Sequence, residues 1–103
     1  MGVESVVTVR FYIDPTTSQP HIYGHDVVES EVQDVLARPM EDRTGRDGSR
    51  IALGQTEAGR YLRVIYMPDP TPGSVFVITA YELGEKARKA LRRRQKPSSR
   101  KKP

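Results

Sequence analysis

Residues 68–73, Pro-Asp-Pro-Thr-Pro-Gly, punctuate the chain more firmly than any other segment. Three prolines and a glycine in six positions permit neither helix nor strand interior, because proline removes a backbone donor and restricts the residue before it. Whatever lies on either side must therefore be separate elements that turn here. Both flanks are rich in β-branched and aromatic residues: 60–67 reads RYLRVIYM and 74–81 reads SVFVITAY. These patterns predict two strands. Residues 49–56 predict a third, joined to the 60–67 strand by Glu57-Ala58-Gly59, with Gly59 supplying the positive φ of a tight connection.

A further strand is expected over 5–13, where Val7, Val9, Phe11 and Ile13 alternate on one face against Val6, Thr8, Arg10 and Tyr12 on the other. Asp14-Pro15 ends it, and residues 14–26 are dense in turn formers. Val28, Val32, Val35 and Leu36 then fall on one helical stripe, predicting a helix over 28–37. Glu29 and Glu31 stand in its first turn, Arg38 near its end, and Pro39 stops it. Met40 to Ser49 is polar and expected as loop, with a short edge strand over Glu41 to Arg46 as the alternative. A second helix starts at Gly84, with a narrow stripe of Leu83, Ala87, Ala90 and Leu91, and ends at Pro97. The order β-α-β-β-β-α predicts an α+β fold: a small antiparallel sheet with two helices packed on it. Residues 1–95 are expected to form one domain, and 96–103 a disordered basic tail.

Charge is divided unevenly along the chain. Residues 1–82 hold seven arginines, no lysine and twelve carboxylates, a net −5; residues 83–103 hold ten cations against Glu85, a net +9. A local positive footprint of this kind fits a polyanion, with Lys86, Lys89, Arg92, Arg93 and Arg94 as the expected nucleic-acid contacts. A solubilising tail is the plainer alternative. The absence of cysteine rules out disulfides, and a small domain without them is expected in a reducing, cytoplasmic setting. No apolar run approaches membrane-spanning length, so no membrane partner is expected.

Few residues suggest chemistry. His21 and His25 are the two histidines, but Pro20 and Gly24 argue against the helix that would align them, and no third ligand stands nearby. Neither a metal nor any other cofactor is therefore expected. Packing of His25 at the helix entry, with a hydrogen bond to backbone, is the ordinary alternative to a catalytic role. Gly45 and Gly48 lack the lysine and helix of a phosphate loop, and no serine stands in a Gly-x-Ser-x-Gly turn. Arg50 and Arg63 lie on partner strands of the expected hairpin and could clamp a phosphate together. A solvated sheet face paired with carboxylates is the alternative.

Four stretches carry a likeness: 25–36 (HDVVESEVQDVL), 48–56 (GSRIALGQT), 60–66 (RYLRVIY) and 77–82 (VITAYE). Together they resemble the BrnT-type toxins of the RelE-like group of bacterial ribonucleases. They also resemble a related family of small uncharacterised proteins that often end in Thr-Ala-Tyr-Glu. The likeness covers roughly residues 8–94. It implies a compact antiparallel sheet with helices, metal-independent cleavage of RNA, and an antitoxin protein as partner; self-association into a homo-oligomer is left open. On that resemblance, His25, Tyr81 and Glu82 become candidate catalytic residues, and Arg50 and Arg63 candidate phosphate ligands. The chain departs from the pattern where the His-Gly-Val helix entry reads His25-Asp-Val. It departs again where arginines near the last strand are replaced by Phe76 and Tyr81.

Overall fold

The computed structural model describes residues 8–95. In chain order the elements are β1 (Thr8–Phe11), β2 (Ile13–Asp14), β3 (Gln19–Pro20), α1 (Glu29–Ala37), β4 (Glu41–Thr44), β5 (Arg50–Gln55), β6 (Tyr61–Pro68), β7 (Ser74–Glu82) and α2 (Glu85–Gln95). Short 3₁₀ turns occupy His21–His25 and Arg46–Gly48. The tail expected over 96–103 lies outside the described residues, as does the start of the first expected strand.

The large sheet runs β1-β7-β6-β5-β4 and is mixed rather than antiparallel. β4 through β7 form an antiparallel meander, but β1 lies parallel to β7, with Thr8 opposite Ser74 and Phe11 opposite Val77. Alternation along β1 specifies which side chains face the core and says nothing about direction. The whole intervening chain serves as the long connection that a parallel pair requires. Glu41 to Thr44 is the charged, four-residue edge strand of the alternative reading, a composition that discourages further pairing.

β6 shows why the sheet has two covered faces. Leu62, Val64 and Tyr66 are buried, while Tyr61, Arg63, Ile65 and Met67 between them are half-buried. The first set joins Ala52, Val77 and Ala80 of the neighbouring strands, Val32 and Val35 of α1, and Ile22 and Val27 of the loop before it. Gly54 lets α1 come close: a Cβ there would lie 3.1 Å from Val35 Cγ1. Val77 and Ala80 share this face despite their odd spacing, because a bulge in β7 skips Ile78 between the Ile65–Thr79 and Tyr66–Val77 pairs.

On the opposite face α2 docks with Leu91 and Ala87 against Leu53, Leu83, Ile51, Tyr61 and Met40. Arg94 clasps Glu41 at 2.6 and 3.0 Å, and Gln95 donates to the Met40 carbonyl at 3.0 Å. The Arg94 hydrogen bond holds the Glu41 carboxyl below the usual range.

Two expected core positions are exposed. Val28, placed on the helical stripe, caps α1 from outside and is 48% exposed; its N–H donates to Glu31 Oε1 at 3.1 Å. Ile13 is 49% exposed because the chain leaves the large sheet after Phe11 and forms the small β2–β3 ladder instead.

Candidate functional site

Four rings line one margin of the sheet where β1 ends. The N–H of Tyr12 donates to Val77 O at 2.8 Å, and the Tyr12 carbonyl accepts from His21 N at 2.9 Å. These bonds tie the hairpin and the following turn to β7. Ile22, 1% exposed, anchors the His21–His25 turn in the core. Asp26 closes the turn in the left-handed region, a conformation aspartate tolerates better than most residues. The result brings the two histidines into edge contact, with ring centroids 5.3 Å apart. Tyr12 lies 6.0 Å from His21, and Tyr81 of β7 lies 5.7 Å from His25.

His21 Nδ1 stands 3.4 Å from an Asp14 carboxylate oxygen. Asp14 accepts a hydrogen bond from the Thr16 N–H, which with His21 beside it holds the carboxyl below its usual range. A carboxylate at one ring nitrogen orients the imidazole and leaves the other nitrogen for a ligand. Of the expected catalytic trio, His25 and Tyr81 thus come together. Glu82 turns away: as the next residue along β7 it points to the other face, where it accepts from Arg60 Nη2 at 3.2 Å. Arg60 also binds Glu31 at 2.9 Å and the Asp26 carbonyl at 2.9 Å. Glu82 therefore helps fasten the turn to α1 and β6 and does not reach the ring row through its own face.

The arginine pair is likewise divided. Arg50 is opposite Tyr66, and Arg63 is opposite Leu53, so three positions and both faces of the sheet separate them. They cannot clamp one phosphate between them. Arg50 binds Asp42 through Nε at 2.9 Å, and Asp42 also accepts from the Tyr66 hydroxyl at 2.6 Å. Burial, reinforced by Asp42, pushes the Tyr66 phenol up to about 12. Arg63, by contrast, is the cross-strand neighbour of Tyr81 and shares its face.

Arg88 is the residue that sequence reading missed. Among the described residues four arginines are half-buried: Arg50 and Arg60 hold carboxylates, while Arg63 and Arg88 form no ion pair. Arg88 rises from α2, the helix on the Arg63 face, and its Nε is shielded from solvent with no acceptor. The Thr79 hydroxyl, on that same face one step from Tyr81 in the ladder, is also shielded and unpartnered. A half-desolvated guanidinium with no counter-charge is costly to keep, so Arg88 has unused capacity for an anion. The available signal was positional: residue 88 lies three before Leu91 and belongs partly to the docking face of α2.

The other α2 cations differ in availability. Lys89 pairs with Glu85 at 3.3 Å, both largely exposed, and Arg94 is taken by Glu41. Lys86, Arg92 and Arg93 are exposed and form no ion pair among the described residues. No cluster of three or more His, Asp or Glu with metal-binding geometry occurs among the described residues. No helix of the described residues is long and apolar enough to cross a membrane. Searches of protein-family models, curated proteins and solved structures find no match to this chain.

Proposed function

We propose that this chain is a metal-independent endoribonuclease of the RelE/BrnT toxin kind, acting at the histidine–tyrosine row and held in check by an antitoxin protein. The observation that carries the reading is the meeting of His21, His25 and Tyr81, with Arg63 beside Tyr81 on the adjoining strand. Cleavage without metal needs a base for the 2′-hydroxyl, an acid for the leaving 5′-oxygen and cations for the phosphorane charge. His25 takes the 2′-hydroxyl proton as the O2′–P bond forms. His21, oriented by Asp14, gives a proton to the 5′-oxygen as the P–O5′ bond breaks. The products are a 2′,3′-cyclic phosphate and a 5′-hydroxyl. Arg63 and Arg88 stabilise the charged intermediate, and Tyr81 stacks on a base or donates from its phenol.

Inducible expression in bacteria should arrest growth, and the purified chain should cut RNA in EDTA. His25→Ala and His21→Ala should each lose about 10²- to 10⁴-fold in rate, the usual contribution of one general acid or base. Harmless expression together with intact RNA would reject the enzyme reading. A second reading, a non-enzymatic nucleic-acid binder, is favoured by the diversion of Glu82 to Arg60 and by Phe76 and Tyr81 standing where the toxins carry arginine. Salt-dependent binding without cleavage would select it.

A further inference from the structure

We propose that Tyr12 and Tyr81, the rings at the two ends of the histidine row, form a base-stacking track that selects single-stranded over duplex RNA. The proposal rests on the reading of this margin as an RNA site, and it assigns Tyr12 a role in substrate choice.

Tyr12 is 41% exposed, so its ring adds little to the core. Its backbone is nonetheless held from both sides, by Val77 and by His21, which fixes where the ring stands. A large ring kept in position yet uncovered is suited to receive another flat surface. Beyond His21, at the Tyr12 end, the charged group is the Asp14 carboxylate and not a cation, so Tyr12 offers a ring and no phosphate anchor. A cation without an ion pair, Arg63, lies at the other end, next to Tyr81. A strand crossing this margin would therefore run its phosphates from Arg63 past the histidines and lay unpaired bases over Tyr81 and Tyr12. In a duplex the base faces are occupied by their own neighbours, so only unpaired bases can use such a track.

Stacking and phosphate binding respond differently to salt. Neutralising phosphates releases counterions and gives a salt slope; stacking a base on tyrosine releases none. The test is fluorescence anisotropy with a 2′-O-methyl oligonucleotide, which cannot supply the nucleophile, as a single strand and as its duplex, at low and high salt. The full wild-type chain should favour the single strand by about tenfold or more, the scale of one stacked base. Tyr12→Ala should weaken single-strand binding by about tenfold, by the same factor at both salt levels, and leave duplex binding unchanged. Tyr12→Trp, which keeps a ring, should retain the preference, and thermal midpoints of both variants should match wild type. Equal binding by Tyr12→Ala and wild type would overturn the proposal. So would equal losses on single strand and duplex, or a loss confined to low salt. Cleavage of the matching unmodified RNA reports separately on the histidines: cutting that is indifferent to Tyr12 rejects the track alone, and a Tyr12-dependent preference without cutting rejects the enzyme alone.

Discussion

Leu91→Ala tests how α2 is held. Leu91 is the one fully buried side chain of that helix, at 0% exposure, and it packs with Leu53 and Leu83. The substitution removes three carbons; at about 0.8 kcal/mol each, lost transfer energy comes to about 2.4 kcal/mol. A cavity adds to that, but this cluster is small and edged by half-buried Met40, Ile51, Tyr61 and Ala87, which can settle into the gap. The expected loss is therefore about 2–3 kcal/mol, the lower part of the range for buried leucine truncation. Leu53 sits between Ala52 and Gly54, whose face packs against α1, so loosening α2 disturbs the strand that anchors the main core. Urea denaturation of wild type and variant measures the loss, and hydrogen exchange along α2 shows whether the helix leaves first. A loss below about 1 kcal/mol, with α2 amides still protected, would refute this account of the second cluster.

Tyr66 predicts an alkaline limit. Its phenol titrates at about 12 in the folded chain against 10.0 ordinarily, so the neutral form is favoured by folding. That contribution, on the order of 2 kcal/mol, is fully present below pH 10 and is lost as pH rises from there through about 12. Tyr66→Phe should flatten the stability profile across that window in denaturant titrations at fixed pH; an unchanged slope would refute the assignment. The α2 cations predict a division of labour. Replacing Lys86, Arg92 and Arg93 by alanine should reduce the magnitude of the log-affinity against log-salt slope on single-stranded RNA by about 2. Arg94→Ala should instead leave the slope alone and lower stability, because it strands the largely buried Glu41 carboxylate, 19% exposed. A large slope change from Arg94→Ala would show that this residue, too, meets phosphate.

Much of the fold was legible because local signals agreed. Periodicity placed α1 and α2 to within a residue or two at their starts, and the proline loop separated β6 from β7. The parallel placement of β1 was hidden, since its alternation would serve either direction equally. The β7 bulge was hidden as well: in the run Val75 to Ile78 every residue is apolar, so nothing marks the skipped position. The separation of Arg50 and Arg63 could have been read. A hairpin centred on Ala58 pairs 50 with 66 and 53 with 63, and residues three apart on one strand face opposite ways.

The site was less legible than the fold for a physical reason. His21 and His25 lie in a turn between a two-residue strand and α1, and turns carry no period from which side-chain direction can be counted. Their meeting depends on Ile22 seating in the core and on Asp26 adopting a left-handed conformation, both set by tertiary packing. Charge was equally misleading by sequence alone. Arg50, Arg60 and Arg94 look as available as Arg63 and Arg88, yet each of the first three is bound to a carboxylate between 8 and 53 residues away. Carboxylates hold three of the seven arginines of residues 1–82, Arg10, Arg50 and Arg60, and Glu41 holds Arg94 of α2. The two half-buried guanidiniums left over stand on the Tyr81 face, Arg63 as Tyr81's cross-strand neighbour and Arg88 on the helix that packs there. What separates an available cation from a structural one here is the partner it lacks, and that becomes visible only after the carboxylates of the described residues have been placed.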